Sequence, residues 1–206
     1  MSFSSKAHSV ETPETIELLG GALCLDFANS VDWTEADEPL DTASDALTDP
    51  AELARWGRRL LGSRSLPAVD DAELAAARGL RHALYRCFAA LARGRRPLPA
   101  DLALVARSHA EGAAAARLAP EGGAWRMTWP AADPRRVRFA VAADAMQLLA
   151  DPERLGRVRR CPGRRCGWLF LDRSGRRKWC SMAGCGSREK MRRLYERQRA
   201  VRSKIA

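Results

Sequence analysis

The sequence predicts a mainly α fold with a small β-hairpin. It divides into a helical N-terminal domain (residues 1–151) and a small C-terminal module of hairpin and helix (residues 152–206). Three observations carry this reading. Apolar residues recur at helical spacing through most of the first 150 residues. The charge changes sign near Asp151: of 35 basic and 25 acidic residues, 18 and 3 fall after Glu153. The tail therefore carries +15 and the remainder −5, within a net charge of +10. Finally, four of the six cysteines fall in the 25 residues from Cys161 to Cys185.

The elements follow in order. The first dozen residues show no periodic pattern and are expected to be disordered. "TIELLGGALCLDFANSVDW" begins with a short apolar run, turns at Gly20-Gly21 and continues as a helix-like segment. "DPAELARWGRRLLG" places Asp49 as N-cap, Pro50 at the first helical position and Glu52 three residues after the cap. "DDAELAAARGLRHALYRCFAALARG" carries Leu74, Leu80 or Arg81, Leu84, Phe88 and Leu91 near helical spacing and ends at Gly94. "PADLALVARSHAEGAAAA" is a further helix. In "ARLAPEGGAWRMTWP", Gly122-Gly123 separates two short segments, which predicts a hairpin. "DPRRVRFAVAADAMQLLAD", with Asp133 as cap and Pro134 in the first turn, is the last helix of the domain. Cys24 and Cys87 stand alone in apolar settings and read as core residues.

In the tail, "GWLFLD" alternates in part and predicts a strand. With "RRKWC" it would form a hairpin closed at Arg173-Ser174-Gly175. "GSREKMRRLYERQRAVRSKIA" is a helix with Ser187 as N-cap. At 100° per residue, Met191, Leu194, Gln198, Val201 and Ile205 form one mostly apolar stripe. Arg188, Arg192 and Arg199 line one flank. Lys190, Arg193, Arg197 and Lys204 line the other, and Glu189 and Glu196 lie opposite.

The thiol spacing is Cys161-x4-Cys166-x13-Cys180-x4-Cys185. Two close pairs separated by a loop suit a tetrahedral zinc site made of four cysteines. The expectation is one structural Zn²⁺ per chain held by Cys161, Cys166, Cys180 and Cys185. An iron–sulfur cluster or a redox disulfide pair is the alternative, and neither explains the symmetric spacing. Four thiolates close the coordination sphere, so the metal is a staple for a module too small to bury much core.

Four thiolates on one Zn²⁺ leave a charge of −2, which nearby arginines offset. That accounts for some of the cations and not for all 18. The nucleic-acid-binding candidates are Arg164, Arg165, Arg173, Arg176, Arg177 and Lys178 around the cysteines. On the helix they are Arg188, Lys190, Arg192, Arg193 and Arg197. A solvated helix packed on its stripe is the bland alternative. Trp168, Phe170 and Trp179 suit base stacking, but in so small a module they read first as core.

The segment from Cys161 to Arg199 resembles the CGNR zinc finger. The order matches: paired Cys, then Phe170-x-Asp172-x-Ser174, then Arg-Lys-Trp-Cys-Ser-Met, then Cys-Gly-x-Arg and a basic helix. "ELLGGALCLDFANSVD" resembles the opening of the ABATE domain that precedes this finger in bacterial stress-induced transcription regulators. The resemblance implies a DNA-binding regulator. One departure stands out: Cys185-Gly186-Ser187-Arg188 replaces the Cys-Gly-Asn-Arg that names the finger.

These readings imply a double-stranded DNA partner, a cytoplasmic, nucleoid-associated setting and no membrane anchor, since no secretory signal or long apolar run is visible. An RNA-binding or ribosome-associated protein is the runner-up. An enzyme is not expected: no Walker loop, G-x-G-x-x-G, G-x-S-x-G or His pair is found. The acidic domain reads as a sensor or dimerisation unit, with a homodimer among the arrangements it admits. Asp26, Asn29 and Arg81 are polar residues inside apolar patterns. They either line a pocket for a small-molecule effector or serve as caps and buried ion pairs.

Overall fold

The computed structural model describes residues 15–34, 36–41, 44–61, 68–164 and 166–202, and the N-terminal dozen, Arg165 and Ile205 lie outside them. The helices are α1 (Leu23–Ala28), α2 (Pro50–Leu61), α3 (Asp71–Ala92), α4 (Pro99–Ala115), α5 (Arg136–Ala150), α6 (Pro152–Leu155) and α7 (Ser187–Arg202). Two antiparallel hairpins pair β1 (Arg117–Glu121) with β2 (Ala124–Thr128), and β3 (Val158–Arg160) with β4 (Leu169–Leu171). The fold is mainly α with small β-hairpins, as the periodicity implies.

Local chemistry sets most element ends. Asp49 Oδ1 accepts the Glu52 N–H at 2.9 Å, and Asp70 Oδ1 accepts the Glu73 N–H at 2.8 Å, so α2 and α3 start where side-chain caps satisfy orphan donors. The β1–β2 turn is Gly122-Gly123, both at positive φ, 59° and 83°. Asp133 does not cap α5. It holds the N–H and guanidinium of Arg135 at 2.9–3.0 Å, and the helix begins one residue later. Ser187 is not an N-cap either, because it is already helical at φ −64°, ψ −44°. The cap is Ser181, whose Oγ accepts the Gly184 N–H at 3.1 Å and starts a π-helical turn, Met182–Gly186, that runs into α7.

The strand Leu169–Leu171 also departs from expectation. Its partner is the upstream Val158–Arg160, not "RRKWC". The reason is Asp172. Its Oδ1 accepts both the Ser174 hydroxyl and the Arg177 N–H at 3.1 Å, folding residues 172–177 into a tight loop that cannot continue a ladder.

Helix α3 runs through the middle of the molecule. It contacts α1, α2, α4, α5, β3 and β4. Its buried face (Leu74, Ala77, Leu80, Leu84, Tyr85, Phe88) belongs to one core that also holds Trp33, Trp56, Leu148, Trp168, Phe170 and all four tail cysteines. Cys24 and Cys87 are fully buried, as expected of core thiols. The core does not divide at Asp151, where charge does.

Polar seams stitch the acidic and basic parts together. Asn29 Nδ2 donates to Leu169 O, and Leu169 N–H donates to Asn29 Oδ1, each at 2.8 Å. Leu171 N–H donates to Gly20 O, Trp33 N–H to Cys166 O, and Tyr85 Oη to Gly167 O. Gly167 must be glycine there: its φ is +67°, and a Cβ would lie 2.8 Å from Tyr85 Oη and 2.9 Å from Trp33 Cβ.

Candidate metal centre and basic groove

The four tail thiols reach one point from four local structures. Cys161 follows β3, its N–H bound to Trp168 O at 2.8 Å. Cys166 closes a turn through Gly163 O at 3.2 Å. Cys180 ends the Asp172 loop, and Cys185 sits on the π-helical turn. Gly163 clears the space, because a Cβ on it would stand 2.9 Å from Cys185 Sγ.

The four Sγ atoms lie within 4.8 Å of one another and all four residues are buried. Cys166 and Cys180 Sγ are 3.5 Å apart, and Cys180 and Cys185 Sγ are 3.7 Å apart. A disulfide needs about 2.05 Å. Ligands at about 2.3 Å from a central ion form a tetrahedron with edges of about 3.8 Å. The thiols thus fit a metal ion and not a disulfide. As bare groups they oppose one another: hydrogen bonding with Cys161 and the other sulfurs, together with burial, pushes the Cys166 thiol well up. A divalent cation reverses that by stabilising every thiolate. No His or carboxylate joins the cluster among the described residues, so no fifth ligand competes for the ion.

The surrounding arginines divide into two kinds. Some are consumed in holding the centre. Arg188 Nη2 donates to Cys185 Sγ at 3.1 Å. Arg177 donates from Nε to Trp179 O at 3.1 Å and from Nη2 to Leu19 O at 2.9 Å and to Cys180 O. Its guanidinium also lies over the Phe170 ring, 4.4 Å from the centroid. Arg173 donates to Gly21 O at 3.0 Å. On α7, Arg192 is bound to Glu189 and Glu196, and Arg193 to Glu189. The other kind points outward. Arg164, Arg176 and Lys178 are exposed and have no side-chain partner among the described residues. Lys190 and Arg197 also have none, and Arg165 lies outside the described residues.

Arg164, Arg176 and Lys178 meet in a groove of about 770 Å³ between the Asp172 loop, β3 and the start of α7. Arg159, Arg160, Arg177, Arg192 and Arg193 also line it, as does half-buried Trp179. The acidic groups present, Asp172 and Glu189, are occupied by the contacts above. Such a surface matches a row of phosphates. Arg159 and Arg160 escape a motif-based reading. Their signal is the alternation in "VRR", which turns buried Val158 inward and sends Arg159 out. Trp168 and Phe170 are core; Trp179 alone of the three aromatics borders the groove.

Asp26, Asn29 and Arg81 are each engaged in a separate structural contact. Asn29 pairs with Leu169. Arg81 forms a two-point ion pair with Asp45 at 2.6 and 2.8 Å, and also donates to Ser30. Burial alone would raise the Asp45 carboxyl, but this guanidinium holds it below the usual carboxylate range. Asp26 Oδ1 accepts the Gly20 N–H at 2.7 Å, and burial raises its carboxyl to about 6.

No helix among the described residues is long and apolar enough to cross a membrane. No curated protein matches the chain. Two family models do. The ABATE model, described as "Putative stress-induced transcription regulator", matches residues 21–152, and the CGNR zinc finger model matches residues 157–198.

Proposed function

Because the chain belongs to the ABATE family and ends in a CGNR zinc finger, we propose that it is a transcription regulator that binds duplex DNA through a zinc-stapled tail. The ion would be Zn²⁺, one per chain, held by Cys161, Cys166, Cys180 and Cys185. When bound, it supplies cross-linking and charge compensation and no reaction, since four thiolates leave no open position. The protein's own residues do the rest. Arg188 and Arg177 brace the sulfur-bearing loops, and Asn29 and Tyr85 fix the module against α1 and α3.

The observation that supports DNA binding is the basic groove. Arg164, Arg176 and Lys178 present side-chain cations, unpartnered among the described residues, around one concave surface, the arrangement a phosphate backbone requires. The neighbouring helix α7 would then supply contacts beyond phosphate. Neither family description names a catalytic activity, which agrees with a binding role. Trp179 at the groove favours the second reading, RNA, because an aromatic face beside cations suits an unpaired base.

Selection from a random duplex pool tests the proposal. Enrichment of a defined duplex site, bound more tightly than single-stranded RNA, is expected. Failure to enrich any duplex, with tighter binding to RNA, would give the function to the second reading.

A further inference from the structure

The face of α7 beside the basic groove carries an apolar surface that the fold leaves open. Met191 and Leu194 are each 45% exposed, and Met182 of the π-helical turn is 69% exposed. Together with Trp179 they line a depression of about 430 Å³ rimmed by Lys190, Arg193 and Arg197, with Glu189 at its edge. The phosphate reading does not use this surface, because exposed methionine and leucine gain nothing from phosphate.

The sequence of α7 gives the shape of what would cover it. Met191, Leu194 and Gln198 follow a 3-4 spacing, that of the seam of a helix that pairs with another helix. The residues flanking a seam decide its partner. Here they are Lys190 and Arg197 on one side and Arg188 and Tyr195 on the other, with no acid among them. Glu196 lies on the back, tied to Arg192, and Glu189 at the edge of the depression is tied to Arg192 and Arg193, so its charge is already compensated within α7. A second copy of α7, parallel or antiparallel, would bring lysine and arginine against lysine and arginine. Like charges at these positions disfavour self-pairing, and opposite charges select a partner.

We propose that this face of α7 is a docking site for an amphipathic helix of another protein, one whose apolar seam is flanked by glutamate or aspartate. Met182 and Trp179 extend the seam at its N-terminal end, and Lys190 and Arg197 pair with the partner's acids. The basic groove lies on the adjoining side, so such a partner and a nucleic acid could be held together.

The test uses the full-length zinc-loaded protein and three designed four-heptad peptides. All have Leu at the seam positions. The first has Glu at the flanking positions, the second Lys, and the third has the composition of the first with the heptad order scrambled. Binding of the Glu peptide is expected, at least tenfold tighter than the other two. Met191→Ser/Leu194→Ser should weaken it at least tenfold while duplex affinity changes less than threefold. Equal binding of scrambled and ordered Glu peptides would overturn the proposal, since charge alone would then explain it. So would unchanged Glu-peptide binding by the double variant. A parallel tenfold loss of duplex affinity would assign the stripe to the nucleic-acid interface instead. Sedimentation of the protein alone as a dimer that the double variant dissolves would show that a second copy covers the face. A misfolded variant is recognised by loss of zinc. In that case Lys190→Glu/Arg197→Glu replaces it, with preference switching to the Lys peptide as the expected result and an unchanged preference as the overturning one.

Discussion

Asn29 and Leu169 are joined as if on neighbouring strands: the side-chain amide of one gives and takes both hydrogen bonds of the other's backbone, each at 2.8 Å. The pair spans 140 residues and ties α1 to the strand inside the cysteine cluster. Replacing the amide by a methyl group leaves a buried N–H and a buried C=O unsatisfied. Asn29→Ala should therefore cost about 2–4 kcal/mol. Asn29→Asp should also destabilise, because a carboxylate can accept from Leu169 N–H but cannot donate to its carbonyl. Denaturant unfolding measures both.

The same stitching predicts how the protein responds to losing its metal. The sulfurs sit in the core that α3 organises, and Trp33 N–H bonds to Cys166 O. Chelation, or Cys166→Ser, should lower one cooperative melting transition that includes α1 and α3. A fragment ending at Asp151 would lack the partners of Asn29, Gly20 and Tyr85 and should melt well below the full chain. Elemental analysis should give one zinc per chain in the intact protein. Two independent transitions, with the fragment as stable as the parent domain, would contradict the shared core.

Much of this was legible in the sequence. The helices were written in capping residues and periodicity, the first hairpin in Gly122-Gly123, and the metal centre in cysteine spacing. What was not legible depends on contacts across the chain. The strand at Leu169 chose Val158–Arg160 because Asp172 spends its carboxylate on a loop. Asn29 looks from sequence like a pocket residue or a cap, and only its partner 140 residues away shows it to be a seam. Arg177 resembles its neighbours Arg176 and Lys178 in sequence and borders the same groove, yet it alone of the three is held by backbone carbonyls.

Buried titratable groups predict a pH response with two opposing parts. Burial raises Asp26 from its ordinary 3.8 to about 6, with Asp144 adding to the rise and Arg59 and Arg177 reducing it. Its folded form holds a proton more tightly than its unfolded form. The contribution is therefore full below about pH 4 and lost as pH rises through 6. His82 is lowered from 6.5 to about 4, first by burial and then by Arg81. It remains neutral in the fold, so its cost appears as pH falls from 6.5 towards 4. Asp26→Asn should raise stability at pH 7.5 by about 2 kcal/mol, with the gain fading by pH 4.5. His82→Gln should flatten the loss on acidification. Melting temperatures across pH 4 to 8 test both signs.

The sharpest separation of structural cations from those proposed to bind lies within three consecutive residues. Arg177 is fixed by the carbonyls of Leu19, Trp179 and Cys180 and by the Phe170 ring. Arg176 and Lys178 are exposed in the groove without a partner among the described residues. Removing a bridge among three backbone acceptors costs stability, roughly 2–4 kcal/mol. Removing an unpaired surface cation costs at most about 0.5 kcal/mol. Arg177→Ala should thus lower the melting temperature and zinc retention, with little effect on the salt dependence of duplex binding by the protein that remains folded. Arg176→Ala and Lys178→Ala should melt like the parent, bind every duplex more weakly, and each reduce the salt slope by about one. If six phosphates are engaged, the parent should lose on the order of 10³-fold in affinity between 50 and 200 mM salt. Arg188→Ala belongs with Arg177, because its guanidinium donates to Cys185 Sγ and its loss should be read first in metal retention. Gel-shift titrations at several salt concentrations, run beside thermal melts and zinc assays of each variant, distinguish the two groups. A salt slope reduced by Arg177→Ala and left intact by Arg176→Ala and Lys178→Ala would reverse the assignment.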